Sequence, residues 1–188
     1  MELKQITAPA VLPISSLDIE YHLRLDGTDH AVYTSGFIQA ATDRAEAYLC
    51  RKLITQTWEM VCRSWDDFLR YDNGALRTMP YGRTQSITSV KYVDADGVEQ
   101  TVSADDYTLM FSGTDGAQIV FDSAYAFPAL HEDIGTVTAR FVCGYGLAAN
   151  VPEVIKSAIR LICGDLFDGT DNSRTVESLL APYRLFKI

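Results

Sequence analysis

The apolar residues of this chain change their spacing twice, and that pattern constrains the fold more than any other feature of its 188 residues. Phe37, Ala41, Ala45, Tyr48 and Leu49 fall on one helical face, as do Ile155, Ala158, Ile159, Ile162, Cys163 and Leu166 near the other end. Between them, Trp58, Met60 and Cys62 alternate with Glu59, Val61 and Arg63, which is the period of a half-buried strand. The spacing predicts an α+β fold: a helical bundle drawn from the N- and C-terminal segments, with an inserted antiparallel β region. At about 150 residues per domain the length fits one domain overall. Its expected parts are an N-terminal helical part (1–53), the inserted β region (54–149), a C-terminal core helix (150–168), and a mobile linker with a C-terminal docking tail (169–188).

Local signals set the expected boundaries. Ser15 with Asp18 reads as a capping box, and Ile14 with Ile19 as a hydrophobic staple, for a helix running to Leu25 and stopping at Asp26-Gly27. A second helix should run from near Asp29 to Arg51 or Lys52. Strands are expected from Thr55, over Ser86–Val93 and Val98–Val102 around an Asp94–Gly97 turn, over Tyr107–Phe111 and Gln118–Phe121, and over Val137–Cys143. Asp66–Gly82 reads as an irregular connection. Pro152 suits a first helical position, with Glu153 in the first turn. Asp168–Ser178 is polar and reads as a linker. Pro182 should keep the apolar segment beyond it from folding back as a helix, so that segment either covers the core or docks into another subunit.

Composition narrows the class. At 47% apolar and 22% charged, the chain is neither disordered, collagen-like nor a coiled coil. The net charge of −9 argues against a general nucleic-acid binder, since phosphate binding needs clustered Lys and Arg. Residues 94–149 carry 1 basic and 9 acidic side chains, so −8 of the −9 lies there. That acidic β surface comprises Asp94, Asp96, Glu99, Asp105, Asp106, Asp115, Asp122, Glu132 and Asp133. Met1–Gln5 lacks a secretory signal pattern, and no run reaches the roughly 18 apolar residues that span a bilayer. The four cysteines are widely spaced, without CxxC, among apolar neighbours; reduced, buried thiols in a cytosolic product are expected, with two disulfides as the other reading.

Signals of chemistry are weak. Gly144-Tyr145-Gly146 lacks the third glycine of a dinucleotide fingerprint and reads as a strand-end turn. Asp94-Ala95-Asp96-Gly97 lacks the spacing and the terminal glutamate of a calcium loop. Asp105-Asp106 and Glu132-Asp133 could be paired as a hydrolase acid and base, but adjacent loop carboxylates in an acidic chain read as solvated surface. His22, His30 and His131 share no ligand spacing with any cysteine. No Ser or Cys lies in a nucleophile motif, and His131 reads as a surface group with raised proton affinity. Trp58 and Trp65 read as core and rim positions on the first strand rather than as stacking platforms. No catalytic, metal-binding or cofactor-binding residue is assigned.

Six segments nevertheless resemble, in order and spacing, the head–tail connector (adaptor, or head-completion) proteins of tailed bacteriophages. They are Leu53–Trp58 after an alanine-rich helix, Ile87–Gly97, Asp106-Tyr107, Val142–Gly146, Val151–Lys156 and Leu179–Arg184. The resemblance implies a non-enzymatic structural virion protein, assembled in the host cytoplasm and without membrane contact. It would form a homo-oligomeric ring, matching the twelve-fold portal, that extends the DNA channel and lets DNA pass without specific binding. Its partners would be the portal protein and downstream stopper or tail proteins. The portal-docking tail would comprise Leu179, Leu180, Pro182, Tyr183, Arg184 and Phe186, within Leu179–Ile188. Gln39–Arg51 and Pro152–Leu166 would supply the helical core and much of the subunit contact. The connection 65–82 departs from the family pattern and receives no role. Another neck component, such as a stopper or tail-terminator, is the alternative, followed by an acidic-site hydrolase and an uncharacterised binding module.

Overall fold

Two segments far apart in sequence, Pro9–Thr55 and Tyr145–Ile188, build one unit of the molecule, while Met1–Ala8 and Gln56–Gly144 build the other. The computed structural model describes residues 1–25, 31–69, 76–112, 116–132 and 137–185. In chain order its elements are β1 (Glu2–Thr7), α1 (Ser16–Leu23), α2 (Ala31–Leu49), β2 (Gln56–Cys62), α3 (Trp65–Leu69), β3 (Leu76–Thr78), β4 (Thr84–Val93), β5 (Glu99–Thr101), β6 (Tyr107–Ser112), β7 (Gly116–Phe121), β8 (Val137–Cys143), α4 (Glu153–Asp168) and α5 (Ser173–Leu180). The fold is α+β, with the β region inserted between helical segments. Among the described residues no helix is long and apolar enough to cross a membrane.

In the helical unit, α1 starts on the expected capping box. The Ser15 hydroxyl accepts from the Asp18 N–H at 3.2 Å and the Asp18 carboxylate accepts from the Ser15 N–H at 2.9 Å. The helix ends at Arg24 in the left-handed conformation, with the Leu25 N–H donating to the Glu20 carbonyl. Asp26, Gly27 and Asp29, where a stop and a start were expected, lie outside the described residues. Helix α2 closes in the same way at Cys50 (φ 53°), earlier than the expected Arg51 or Lys52. The buried Glu46 carboxylate then takes the Leu53 N–H at 2.9 Å and the Lys52 ammonium at 2.7 Å, fixing the exit of the chain. Ala41 and Ala45 on α2 and Ala158 on α4 are fully buried, and small side chains there let the two helices approach closely. Around them Ile38, Leu49, Ile155, Ile159 and Ile162 are removed from water, each worth about 1.5–3 kcal/mol. Leu166, placed by its spacing on the buried stripe, is 44% exposed. Pro152 stands one position before α4 rather than inside it.

The other unit holds an antiparallel five-stranded sheet in the order β1-β2-β8-β4-β5 and a three-stranded sheet in the order β3-β7-β6. Alternate residues of the central pair face inward: Met60, Cys62, Val137, Ala139, Phe141 and Cys143 are buried. Trp65 is a core residue on α3 rather than a strand rim. Its indole N–H donates to the Pro128 carbonyl, and its ring meets Phe68, Tyr92, Phe121, Tyr125 and Phe127. The irregular connection expected over 66–82 therefore contains α3 and β3. Strand β1 also departs from the helical N-terminal part that was expected: Met1–Ala8 belongs to the sheet. Only Leu3 of β1 is partly buried, so no alternation marks it; backbone pairing with β2 places it. All four cysteines are free thiols, and Cys62, Cys143 and Cys163 are buried.

The stretch that reads as a polar linker carries helix α5. The buried Asp165 carboxylate at the end of α4 accepts from the Thr170 hydroxyl at 2.8 Å, the Asn172 N–H at 2.9 Å and the Asn172 amide at 2.6 Å. Gly169 turns the chain in the left-handed region, and α5 then buries Val176 and Leu180, four residues apart on one face. Polar composition hid this helix because two inward residues suffice for so short an element.

Two outcomes are expected. Burial pushes the Asp165 carboxyl up, but the hydrogen bonds from Asn172 and Thr170, with Arg44 nearby, hold it below its ordinary 3.8. Its contribution is therefore complete above pH 3.8 and is lost as pH falls through the lower folded value. Urea unfolding should show Asp165→Asn to be about 1–3 kcal/mol less stable at pH 7, with the gap closing in strong acid. Gly146 lies at φ 121°, and a β-carbon there would come within 3.2 Å of the Asn150 amide nitrogen. Gly146→Ala should cost about 1–3 kcal/mol, and adding Asn150→Ala should relieve only the steric part.

Candidate functional site

The C-terminal segment is laid against its own helical unit. After α5, residues Ala181–Tyr183 make one 3-10 turn, in which Pro182 occupies the first turn where a missing N–H leaves no bond unmade. The Leu185 N–H donates to the Leu49 carbonyl at 2.8 Å, and the Arg184 guanidinium lies 5.0 Å from the centre of the Tyr48 ring. The Tyr48 hydroxyl in turn donates to the Glu177 carbonyl at 3.4 Å. Of the tail residues singled out in the sequence, Leu180 is 1% exposed and belongs to the core, and Leu179 and Tyr183 pack partly buried against it. Pro182 and Arg184 are exposed, and Phe186 lies outside the described residues. Through residue 185 the segment covers the helical core, the first of the two arrangements open to it in the sequence. Tyr48 and Leu49, which receive it, carried no signal beyond their place on the apolar face of α2.

The acidic positions divide by what their carboxylates do. Asp94 shapes the β4–β5 hairpin: it accepts from the Gln100 amide at 2.8 Å, the Val98 N–H at 2.9 Å and the Asp96 N–H at 3.1 Å. These bonds, the Gln100 one foremost, hold its proton affinity below the usual carboxylate range. Glu99 pairs with Lys91 across the same hairpin, and Asp122 accepts from the Ala124 N–H at 2.8 Å. Asp96, Asp105 and Glu132 are exposed, and Asp106 is half-buried. Asp115 and Asp133 lie outside the described residues. The nine acidic positions thus include turn-forming groups as well as open surface.

The weaker chemical motifs resolve into structure. Gly144 (φ 123°) and Gly146 (φ 121°) occupy backbone conformations that side chains disfavour, so the glycine pair serves a strand-end turn. Trp58 donates to Gln56 and its ring lies 4.8 Å from that of Tyr81. Burial pushes the Cys163 thiol up to about 12, leaving it protonated and un-nucleophilic at neutral pH. Among the described residues no three His, Cys, Asp or Glu side chains are grouped to hold a metal ion. An open groove of about 620 Å³ runs beside the starts of α1 and α4, floored by Leu12, Ile14 and Ala148. On its rim the Glu153 carboxylate pairs with Arg160 at 2.9 Å and Lys156 at 3.4 Å, and the Arg160 bond chiefly holds Glu153 below its ordinary range. These features describe surfaces for contact, with neither an activated nucleophile nor a converging acid–base pair.

No protein-family model and no curated protein matches the chain. Solved structures do. The chain is similar over 100% of its length, and over 97% of the other chain, to a chain from the neck of an empty GTA particle computed with C6 symmetry (TM-score 0.79, 20% identity). The same coverage holds for a chain from the virion of a native gene transfer agent particle (TM-score 0.79, 21% identity). It holds again for a chain from the neck of the native particle computed with C12 symmetry (TM-score 0.76, 21% identity). At that level of identity, the shared property is the fold, including both the helical unit and the inserted sheets.

Proposed function

We propose that this chain is a structural subunit of the neck of a tailed, phage-like particle, acting as a head–tail adaptor. It forms a ring at the portal vertex, extends the DNA channel and offers the tail machinery a docking face. The observation that carries this reading is the full-length likeness to chains of a particle neck, together with the adaptor-like motifs running from Leu53 to Arg184. A ring subunit needs two different side faces that close by rotation, and it needs no catalytic pocket. The acidic β surface fits a passage for DNA, because clustered Lys and Arg would hold the duplex and carboxylates do not.

Docking onto the portal is assigned to the C-terminal segment. Pro182 and Arg184 are accessible as folded. Leu179, Leu180 and Tyr183 come into play only if the segment lifts from Tyr48 and Leu49. The contacts beyond Leu180 that oppose release are modest: one backbone hydrogen bond, worth about 1 kcal/mol, and one exposed cation–π contact of about 0.5–1 kcal/mol. Tyr and Arg are also residue types that dominate interface energies.

Negative-stain imaging of the purified protein with and without portal rings tests the proposal. Portal rings should gain a coaxial ring of density. Full-length protein that never decorates portal defeats the adaptor role, whereas cross-links in particles to tail proteins and not to portal would favour a stopper. Removing residues 182–188 should abolish decoration, and Arg184→Ala should weaken it several-fold while changing stability by less than about 1 kcal/mol. Undiminished binding by the truncated chain would exclude the tail as the docking element.

A further inference from the structure

Four strands lie at sheet edges, β1 and β5 in the larger sheet and β3 and β6 in the smaller. Exposed edges invite pairing with other chains, and proteins blunt them with charges, bulges or brevity. Strand β1 carries Glu2 and Lys4 and breaks register between Gln5 and Thr7. Strands β5 and β3 are three residues each and carry Glu99 and Arg77. Strand β6, Tyr107-Thr108-Leu109-Met110-Phe111-Ser112, has none of these devices. It contains no charge and no proline, keeps unbroken register with β7 along its whole length, and pairs with β7 alone among the described residues. Met110 and Phe111 are 54% and 68% exposed.

We propose that the open edge of β6 accepts an extended segment of another protein as an added strand. Main-chain hydrogen bonds along the edge would supply affinity, and Met110 and Phe111 would give the incoming side chains an apolar footing. Charge specifies the partner. Asp105 and Asp106 immediately precede β6, and the Asp122 N–H donates to the Asp106 carbonyl, bringing a third carboxylate residue to the same end of the strand. The surrounding stretch 94–149 has 9 acidic and 1 basic side chains. A second copy of this chain would bring the same acidic region with it and be repelled, since like charges across paired strands are destabilising. The segment that fits is apolar at alternate positions and flanked by Lys or Arg. This site is separate from the C-terminal segment and holds whether or not the chain forms a ring.

Hydrogen exchange of the purified full chain with the peptide Lys-Val-Thr-Val-Thr-Val-Lys tests it. Amides in residues 107–112 should be protected by this peptide, and at least ten-fold less effectively by the same peptide with glutamate at both ends. Met110→Lys, at an exposed position, should keep the wild-type melting temperature and lose the protection. No protection at millimolar lysine peptide overturns the proposal, and equal protection by both peptides overturns its electrostatic part. Protection that grows with protein concentration in the absence of peptide would identify a second copy as the occupant, which also overturns it.

Discussion

An insertion is compatible with a folded core only if the chain leaves and re-enters that core at neighbouring points. Here residues 53–55 are tied to residues 145–146: the Tyr145 N–H donates to the Leu53 carbonyl at 2.9 Å, and the Thr55 N–H to the Gly146 carbonyl at 3.0 Å. The same two strands of chain continue as β2 and β8, which pair in register from Gln56 with Cys143 to Cys62 with Val137. These bonds allow 89 residues, Gln56 to Gly144, to be accommodated without opening the helical unit. Gly144 and Gly146, each at φ near 120°, make the re-entry possible, because a side chain would disfavour that backbone.

The helical unit depends on a second economy of space. Alanines at 41, 45 and 158 bring α2 and α4 together, and the aliphatic residues around them close the core. Helix α5 and the segment after it then lie along α2, so one surface of that helix both completes the fold and holds the proposed docking tail. Leu180, which is buried, binds this arrangement into the core, whereas the contacts made by Arg184 and Leu185 are few and near the surface. A firmly anchored helix followed by a lightly held end suits a segment that must remain ordered alone and still exchange partners.

Electrostatics separate the units as clearly as packing does. The sheet unit carries 7 basic and 14 acidic side chains, and the helical unit 9 and 11. Part of the acidity has structural work: Asp94 organises a hairpin and Asp122 a turn, as Asp165 does between α4 and α5. The remainder is exposed and keeps anionic polymers and like copies at a distance, which leaves strand β6 available to a cationic partner.

Periodicity alone determined the fold class, because the long helices and the central strands each bury one face and must repeat at 3.6 or 2 residues. The capping box at Ser15 and Asp18 was equally legible, since every participant lies within four residues. The charge asymmetry was visible too, though not its division between turn formation and surface. Elements stabilised by remote partners were not legible. Strand β1 is defined by backbone bonds to β2 and buries almost nothing, α3 spans little more than one turn, and α5 takes its place from Asp165 and two inward residues. The same reason covers the candidate sites. Sequence named Tyr183 and Arg184 by type, but only the tertiary structure laid them on Tyr48 and Leu49. Nor could composition distinguish β6 from its neighbours, because an open edge is a property of what pairs with a strand and not of the strand itself.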